Sequence, residues 1–189
     1  MKVLFIRHAQ SVANAGGRTI DPASIPITEF GRVQSKVVSE KINEPLDLII
    51  VTPYLRTQQT AEPLCKKYPH CPIEIWQLQE FTYLSPLICQ NTSSLERKPL
   101  VQQYWATCDP DFVHGPNAES FNQFKNRVEK CISRLNTLKL NSVAIITHEQ
   151  VIVLIKLLLE IREFAMTDYR NLLINNPVDN TEIFQAEIG

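Results

Sequence analysis

Glycine is scarce in this chain. Five glycines stand against twelve prolines in 189 residues, so stiff connections are expected in place of floppy linkers or low-complexity tracts. Charge of one sign is equally lacking. Nineteen Lys and Arg face twenty Asp and Glu, for a net charge of -1. That balance excludes a global pull toward nucleic acid or an anionic membrane, and any anion site must be local. Long apolar runs are missing. The longest, 151–159, is broken by Lys156 and falls short of the ~20 residues a bilayer-spanning helix needs. The apolar stretch before Arg7 is too short for a signal peptide, and no small-residue cleavage site follows it. Cysteines number five, at 65, 71, 89, 108 and 131, an odd count with no C-x-x-C pair. Reduced thiols in the cytosol are therefore the expectation. Cys65, His70 and Cys71 hint faintly at metal ligands, but the four histidines show no ligand pairing, and no metal is expected.

What is present is an apolar fraction of 44%, enough for a sizeable core, on a length that suits one domain spanning 1–189. Short apolar runs at 3–6, 48–51, 73–76 and 143–146 read as strands. Three are nearly continuous, as in a parallel sheet covered on both faces. The run 73–76 contains Glu74 and belongs near an edge, and 182–186 is a weaker fifth candidate. Between them lie helical patterns. Phe30, Val33, Val37, Val38 and Ile42 mark one, capped by Thr28. A second, 54–68, is expected to kink or break at Pro63. Phe121, Phe124, Val128, Ile132 and Leu135 mark a third, capped by Asn117 or Ser120. The run 151–159 reads as a buried helix. Strands alternating with helices predict an α/β fold: a mostly parallel central sheet with helices on both faces in three layers. Residues 86–116, with a helix at 95–107, break the rhythm and read as an insertion folded over the carboxyl edge of the sheet.

Each apolar run releases a charged or titratable residue. Arg7 and His8 follow the first, Arg56 the second, Glu80 the third and His148 the fourth. In open parallel sheets ligands bind at that edge, where helix N-termini also attract anions. Two arginines and two imidazoles suit a compact dianion such as phosphate. Neutral imidazole is a good nucleophile at pH 7, and a carboxylic acid can protonate a departing alkoxide.

The same residues carry a resemblance. "LFIRHAQSVAN", "PITEFGRVQS", "VTPYLRTQQTAEPL", "LQEF" and "AIITHE" occur in the order found in the histidine phosphatase superfamily, also called phosphoglycerate-mutase-like. The resemblance implies that His8 attacks phosphorus and becomes phosphohistidine. It further implies that Arg7, Arg56 and His148 hold the phosphoryl oxygens, that Glu80 is the acid and later the base, and that Asn14 contacts the phosphate or orients the first loop. It implies no metal and no cofactor, and a small phosphorylated substrate. One position departs: Glu149 stands where the family usually keeps glycine, and its side chain turns toward the phosphate, points away into solvent or pairs with a basic residue. With that ambiguity it joins Arg7, Asn14 and Arg56 as a candidate substrate-binding residue. The segment "LERKPLVQQYW" lacks a mutase-type continuation, which favours hydrolysis over isomerisation. A non-catalytic phosphate-binding domain is the alternative from another class. Tyr104, Trp105 and Phe112 of the insertion either touch the substrate or anchor the insertion. Glu119 either lines the pocket or favours a helix start. Oligomeric state is not legible.

Overall fold

The computed structural model describes residues 1–161 and 163–189. The elements run β1 (Lys2–Arg7), α1 (Glu29–Lys41), β2 (Leu48–Val51), α2 (Leu55–Lys67), β3 (Ile73–Ile75), α3 (Ser94–Thr107), α4 (Phe121–Thr137), β4 (Ser142–Thr147), α5 (Glu149–Glu160), α6 (Met166–Asn175) and β5 (Ile183–Glu187). The five strands form one sheet in the order β3-β2-β4-β1-β5. All neighbours are parallel except β5, which runs antiparallel to β1 along one edge. The α/β architecture is therefore the expected one, with β3 on the opposite edge.

Period-2 alternation divides the core into two layers. Leu4, Ile6, Ile49, Val51, Ala144 and Ile146 point to α1 and α2, where Val38, Ile42, Ala61 and Leu64 meet them. Val3, Phe5, Leu48, Ile50, Val143 and Ile145 point the other way, onto α4, α5 and α6. Because both faces are covered, these strands read as unbroken apolar runs. Buried positions 151–155 and Leu157 of α5 likewise confirm the apolar helix.

Three expectations need correction. Phe30, Val33 and Val37 do not form the buried face of α1; they are 58%, 59% and 44% exposed. The face against the protein is Gly31, Ser35, Val38 and Ser39. Small residues let the helix approach closely: a Cβ on Gly31 would stand 2.3 Å from the Gln10 carbonyl. Hydrophobicity alone mispredicts a face built on close approach. Second, α2 continues through Pro63 without interruption. Proline removes one donor, and Lys67 Nζ ties the helix end back to the Ser39 and Ile42 carbonyls at 3.1 and 2.6 Å. Third, α6 was not expected. Its apolar residues Met166, Tyr169, Leu172 and Leu173 do recur at helical spacing, and it starts without a capping side chain at Ala165; the Asp168 carboxylate instead accepts from the Ala165 N–H at 2.8 Å.

Ser120 is the cap of α4, in a reciprocal capping box with Gln123. Among the described residues no helix is long and apolar enough to cross a membrane.

Candidate active site

The register of the two central strands brings the histidines together. Arg7 of β1 sits opposite Thr147 of β4, so the residues that follow, His8 and His148, leave neighbouring parallel strands side by side. The His8 N–H donates to the Thr147 carbonyl at 2.9 Å. The ring centroids are 5.1 Å apart, inclined at 64°, and both residues are buried.

Arg56, from the first turn of α2, joins them. Its Nε donates to His8 Nε2 at 3.1 Å and its Nη2 to His148 Nδ1 at 3.2 Å. Its Nη1 donates to the Pro22 carbonyl at 2.7 Å. Guanidinium has only donors, so both imidazole atoms facing it must be lone pairs. For His8 this fixes the tautomer: Nδ1–H donates to the Ala9 carbonyl at 2.7 Å, and Nε2 is the unprotonated nitrogen, its lone pair accepting from Arg56 Nε at the cavity wall. For His148, Nε2–H donates to Thr52 Oγ1 at 3.1 Å. Thr52 Oγ1 in turn lies 2.9 Å from Thr57 Oγ1, whose hydroxyl donates to the Tyr54 carbonyl at 2.8 Å. Burial, reinforced by Arg56, holds both imidazoles well below the usual histidine range. Both are thus neutral at pH 7, as a nitrogen nucleophile requires.

Arg7 and Glu149 form a clasp on one peptide segment. The Arg7 Nη2 lies 3.3 Å from Glu149 Oε2, and Nη1 donates to the Val178 carbonyl. Glu149 Oε1 accepts from the Val178 N–H at 3.3 Å. Of the readings open in the sequence, Glu149 takes the one in which it pairs with a basic residue, while still bordering the cavity. Arg7 Nε is buried without a protein partner. Two residues on, Asn180 Nδ2 donates to the His8 carbonyl at 2.8 Å.

Glu80 lies on the loop after β3, half-buried in the cavity wall. Burial pushes its carboxyl up to about 7, against the opposing pull of Arg56. The Phe81 N–H donates to its Oε1 at 3.1 Å. The loop is clamped from two sides. Arg127 of α4 donates to the Gln77 and Gln79 carbonyls at 3.0 and 2.9 Å and pairs with both oxygens of Glu119, at 2.8 and 2.7 Å. The Thr147 hydroxyl donates to the Leu78 carbonyl at 2.7 Å. Glu119 is thus a buttress of the Glu80 loop; its Oε1 also accepts from the Thr82 N–H at 3.0 Å.

Arg7, His8, Asn14, Arg56, Glu80 and Glu149 all line one cavity of about 270 Å³; His148 is not part of its lining but lies fully buried against the His8 ring. Asn14 Oδ1 accepts from the Ser11 N–H and hydroxyl at 3.0 and 2.9 Å, which shapes the first loop. Tyr104 and Trp105 do not reach the cavity. They are buried against Tyr83, Phe81 and Tyr169, so they anchor α3 to the core. Sequence reasoning missed Thr52, Thr57, Asn180 and Arg127. Thr52, Asn180 and Arg127 act through partners far away in the chain, and Thr57 acts through Thr52 and Tyr54 beside it; none carries a local pattern that marks it.

A family model described as the histidine phosphatase superfamily, branch 1, matches residues 3–187. The chain belongs to that superfamily. Among curated relatives, the adenosylcobalamin/alpha-ribazole phosphatase of Salmonella typhimurium is 27% identical over 158 residues, covering 82% of this chain and 77% of that one. A probable phosphoglycerate mutase, GpmB, of Photorhabdus laumondii is 25% identical over 146 residues, covering 75% and 66%. Among solved structures, the alpha-ribazole phosphatase from Shigella flexneri shares the fold with a TM-score of 0.79 at 23% identity, over 100% of this chain and 91% of that one.

Proposed function

We propose that this protein is a phosphomonoester hydrolase that works through a phosphohistidine on His8. The single observation carrying this reading is the tautomer of His8. Its Nδ1–H is committed to the Ala9 carbonyl, so Nε2 is the unprotonated nitrogen at the cavity wall, its lone pair accepting from Arg56 Nε, which turns to a phosphoryl oxygen when substrate enters. In the first step a bond forms between Nε2 and phosphorus, the ester P–O bond breaks, and the protonated Glu80 carboxyl gives its proton to the leaving alkoxide. In the second, water attacks phosphorus, the N–P bond breaks, and the Glu80 carboxylate takes the proton from water, releasing inorganic phosphate. Arg7, Arg56 and His148 hold the equatorial oxygens and stabilise their charge in the transition state. A phosphomonoester entering as its monoanion would bring the proton that His148 Nδ1 needs in order to donate to an oxygen. Asn14 keeps the first loop in register with the cup.

The insertion at 86–116 acts as a lid within a single domain, since Pro86, Cys89 and Arg97 contribute to the cavity wall. The cavity volume, near the low end for ligand sites, favours a compact substrate. The five unpaired cysteines suit a reducing compartment such as the cytosol. Relatives named as phosphatases support hydrolysis; the relative named as a probable mutase keeps phosphoryl transfer between two positions of one substrate as the second reading. The purified protein is expected to hydrolyse p-nitrophenyl phosphate in the presence of a chelator, and His8→Ala to lose at least about a thousandfold in kcat, the scale on which covalent and acid–base groups act. A variant with full activity ends the nucleophile assignment. No turnover at all by the native protein favours the non-catalytic binder.

A further inference from the structure

We infer that Thr60 and Gln34 are positioning residues for the nucleophile: between them they hold Ala9, whose carbonyl keeps the His8 ring turned with Nε2 toward phosphorus. This rests on reading His8 as the nucleophile and extends it to what aims the ring.

Ala9 is fully buried, and the peptide planes on either side of it are each tied at both ends. In the plane joining His8 to Ala9, the carbonyl accepts from Asn180 Nδ2 at 2.8 Å and the N–H donates to Thr60 Oγ1 at 3.0 Å. In the plane joining Ala9 to Gln10, the carbonyl accepts from His8 Nδ1–H at 2.7 Å and the N–H donates to Gln34 Oε1 at 2.8 Å. Thr60 is itself buried in α2, and its hydroxyl donates to the Arg56 carbonyl at 2.6 Å. It therefore couples the nucleophile loop to the helical turn that carries the Arg56 guanidinium. Gln34 is half-buried in α1. Gln10 is drawn to the start of the same helix, its carbonyl accepting from the Thr28 N–H at 2.9 Å. Neither Thr60 nor Gln34 lines the cavity, so each acts through Ala9 and not by touching substrate.

These ties matter most during reaction. In this structure two groups hold the His8 tautomer: the Ala9 carbonyl at Nδ1 and Arg56 Nε at Nε2. Once Arg56 turns to a phosphoryl oxygen, the Ala9 carbonyl alone keeps the proton on Nδ1. A carbonyl free to swing would let the ring rotate and the proton move to Nε2, which then has no lone pair for phosphorus. Peptides are planar, so fixing the Gln10 N–H fixes the direction of the Ala9 carbonyl in the same plane. An acceptor on that N–H also polarises the amide and strengthens its carbonyl as an acceptor. Thr60 fixes the preceding plane from the other side of Ala9. With both planes held, neither backbone torsion of Ala9 is left to vary.

The test measures turnover of p-nitrophenyl phosphate by the full chain, and its inhibition by two anions. Orthovanadate takes a nitrogen ligand as it becomes five-coordinate, so its affinity reports the aim of Nε2. Inorganic phosphate is gripped by the arginines and does not need that bond. Thr60→Val and Gln34→Met nearly keep side-chain size and remove the oxygen. Each is expected to lower kcat about tenfold or more, the scale on which a misaimed reacting group slows a reaction, and to weaken vanadate inhibition by a similar factor. KM and the phosphate inhibition constant should stay within about twofold, since ground-state binding is untouched. Thr60→Ser and Gln34→Glu, which return an oxygen acceptor, should recover most of the native kcat. A native kcat in Gln34→Met or Thr60→Val, a loss that Gln34→Glu does not recover, or vanadate and phosphate weakened in parallel would overturn the assignment. Gln34 is only half-buried, so Gln34→Met carries the test if Thr60→Val does not fold. A native protein that leaves p-nitrophenyl phosphate intact would instead remove the phosphatase reading beneath it.

Discussion

At the scale of single residues, burial keeps two imidazoles neutral and strengthens a carboxyl's hold on its proton. His8 and His148 are buried beside a guanidinium, and both effects disfavour the imidazolium. Glu80 is pushed the other way, up to about 7, because burial outweighs Arg56. The signs set a pH profile. The His8 lone pair is lost only when pH falls below its depressed value, under 6.5. The acid form of Glu80 is lost as pH rises through about 7. Hydrolysis of an alkyl phosphate should therefore fall on the alkaline side with a midpoint near 7. Glu80→Gln should abolish that limb and slow alkyl phosphates by about a hundredfold or more, while slowing aryl phosphates less, because aryl leaving groups need less protonation. Stopped-time assays over pH on both substrate types check this; an alkaline limb that survives in Glu80→Gln contradicts it. Arg7, His8, Arg56, Glu80 and His148 were legible in the sequence because each interrupts or follows an apolar run at a strand end. Thr52 and Asn180 were not, because a hydroxyl or amide in a loop gains its role only from a partner ninety or more positions away.

At the scale of elements, close packing and long-range clasps decided what the pattern could not. The inner face of α1 is small and polar, because its first turn presses Gly31 onto the Gln10 carbonyl; an apolar-stripe reading selects the wrong side. The strands succeeded because a two-sided sheet writes itself as a continuous apolar run. Three elements meet at Glu149. It opens α5, pairs with Arg7 at the end of β1, and accepts from Val178 in the segment leading to β5. The carboxylate fixes Arg7 but also sets a negative charge beside a site for an oxyanion. Glu149→Gln retains the shape and the acceptor for the Val178 N–H while removing the charge. Inorganic phosphate should then inhibit about tenfold more tightly, the equivalent of about 1.4 kcal/mol. The product-inhibition constant measures it, and an unchanged or weaker inhibition would place the Glu149 charge out of reach of the oxyanion.

At the scale of the whole molecule, a nearly neutral chain concentrates cations at one sheet edge. The net charge of -1 says nothing of this. The order β3-β2-β4-β1-β5 does, because it sets β4 between β1 and β2 and so converges His8, His148 and the N-terminus of α2 on one cup. The fold class and this convergence were legible from alternation of strands and helices. The seam between the first loop and the insertion was not, since it joins Arg18 and Thr19 to a segment more than seventy residues on. The central claim is that the His8 imidazole nitrogen carries the phosphoryl group. Rapid quenching during turnover of a phosphomonoester, followed by peptide mapping of the phosphoenzyme, tests it most directly. A phosphoramidate on His8, labile in acid and stable in base, is the predicted result; an acid-stable phosphoester, or a phosphoryl group on any other residue, would contradict it.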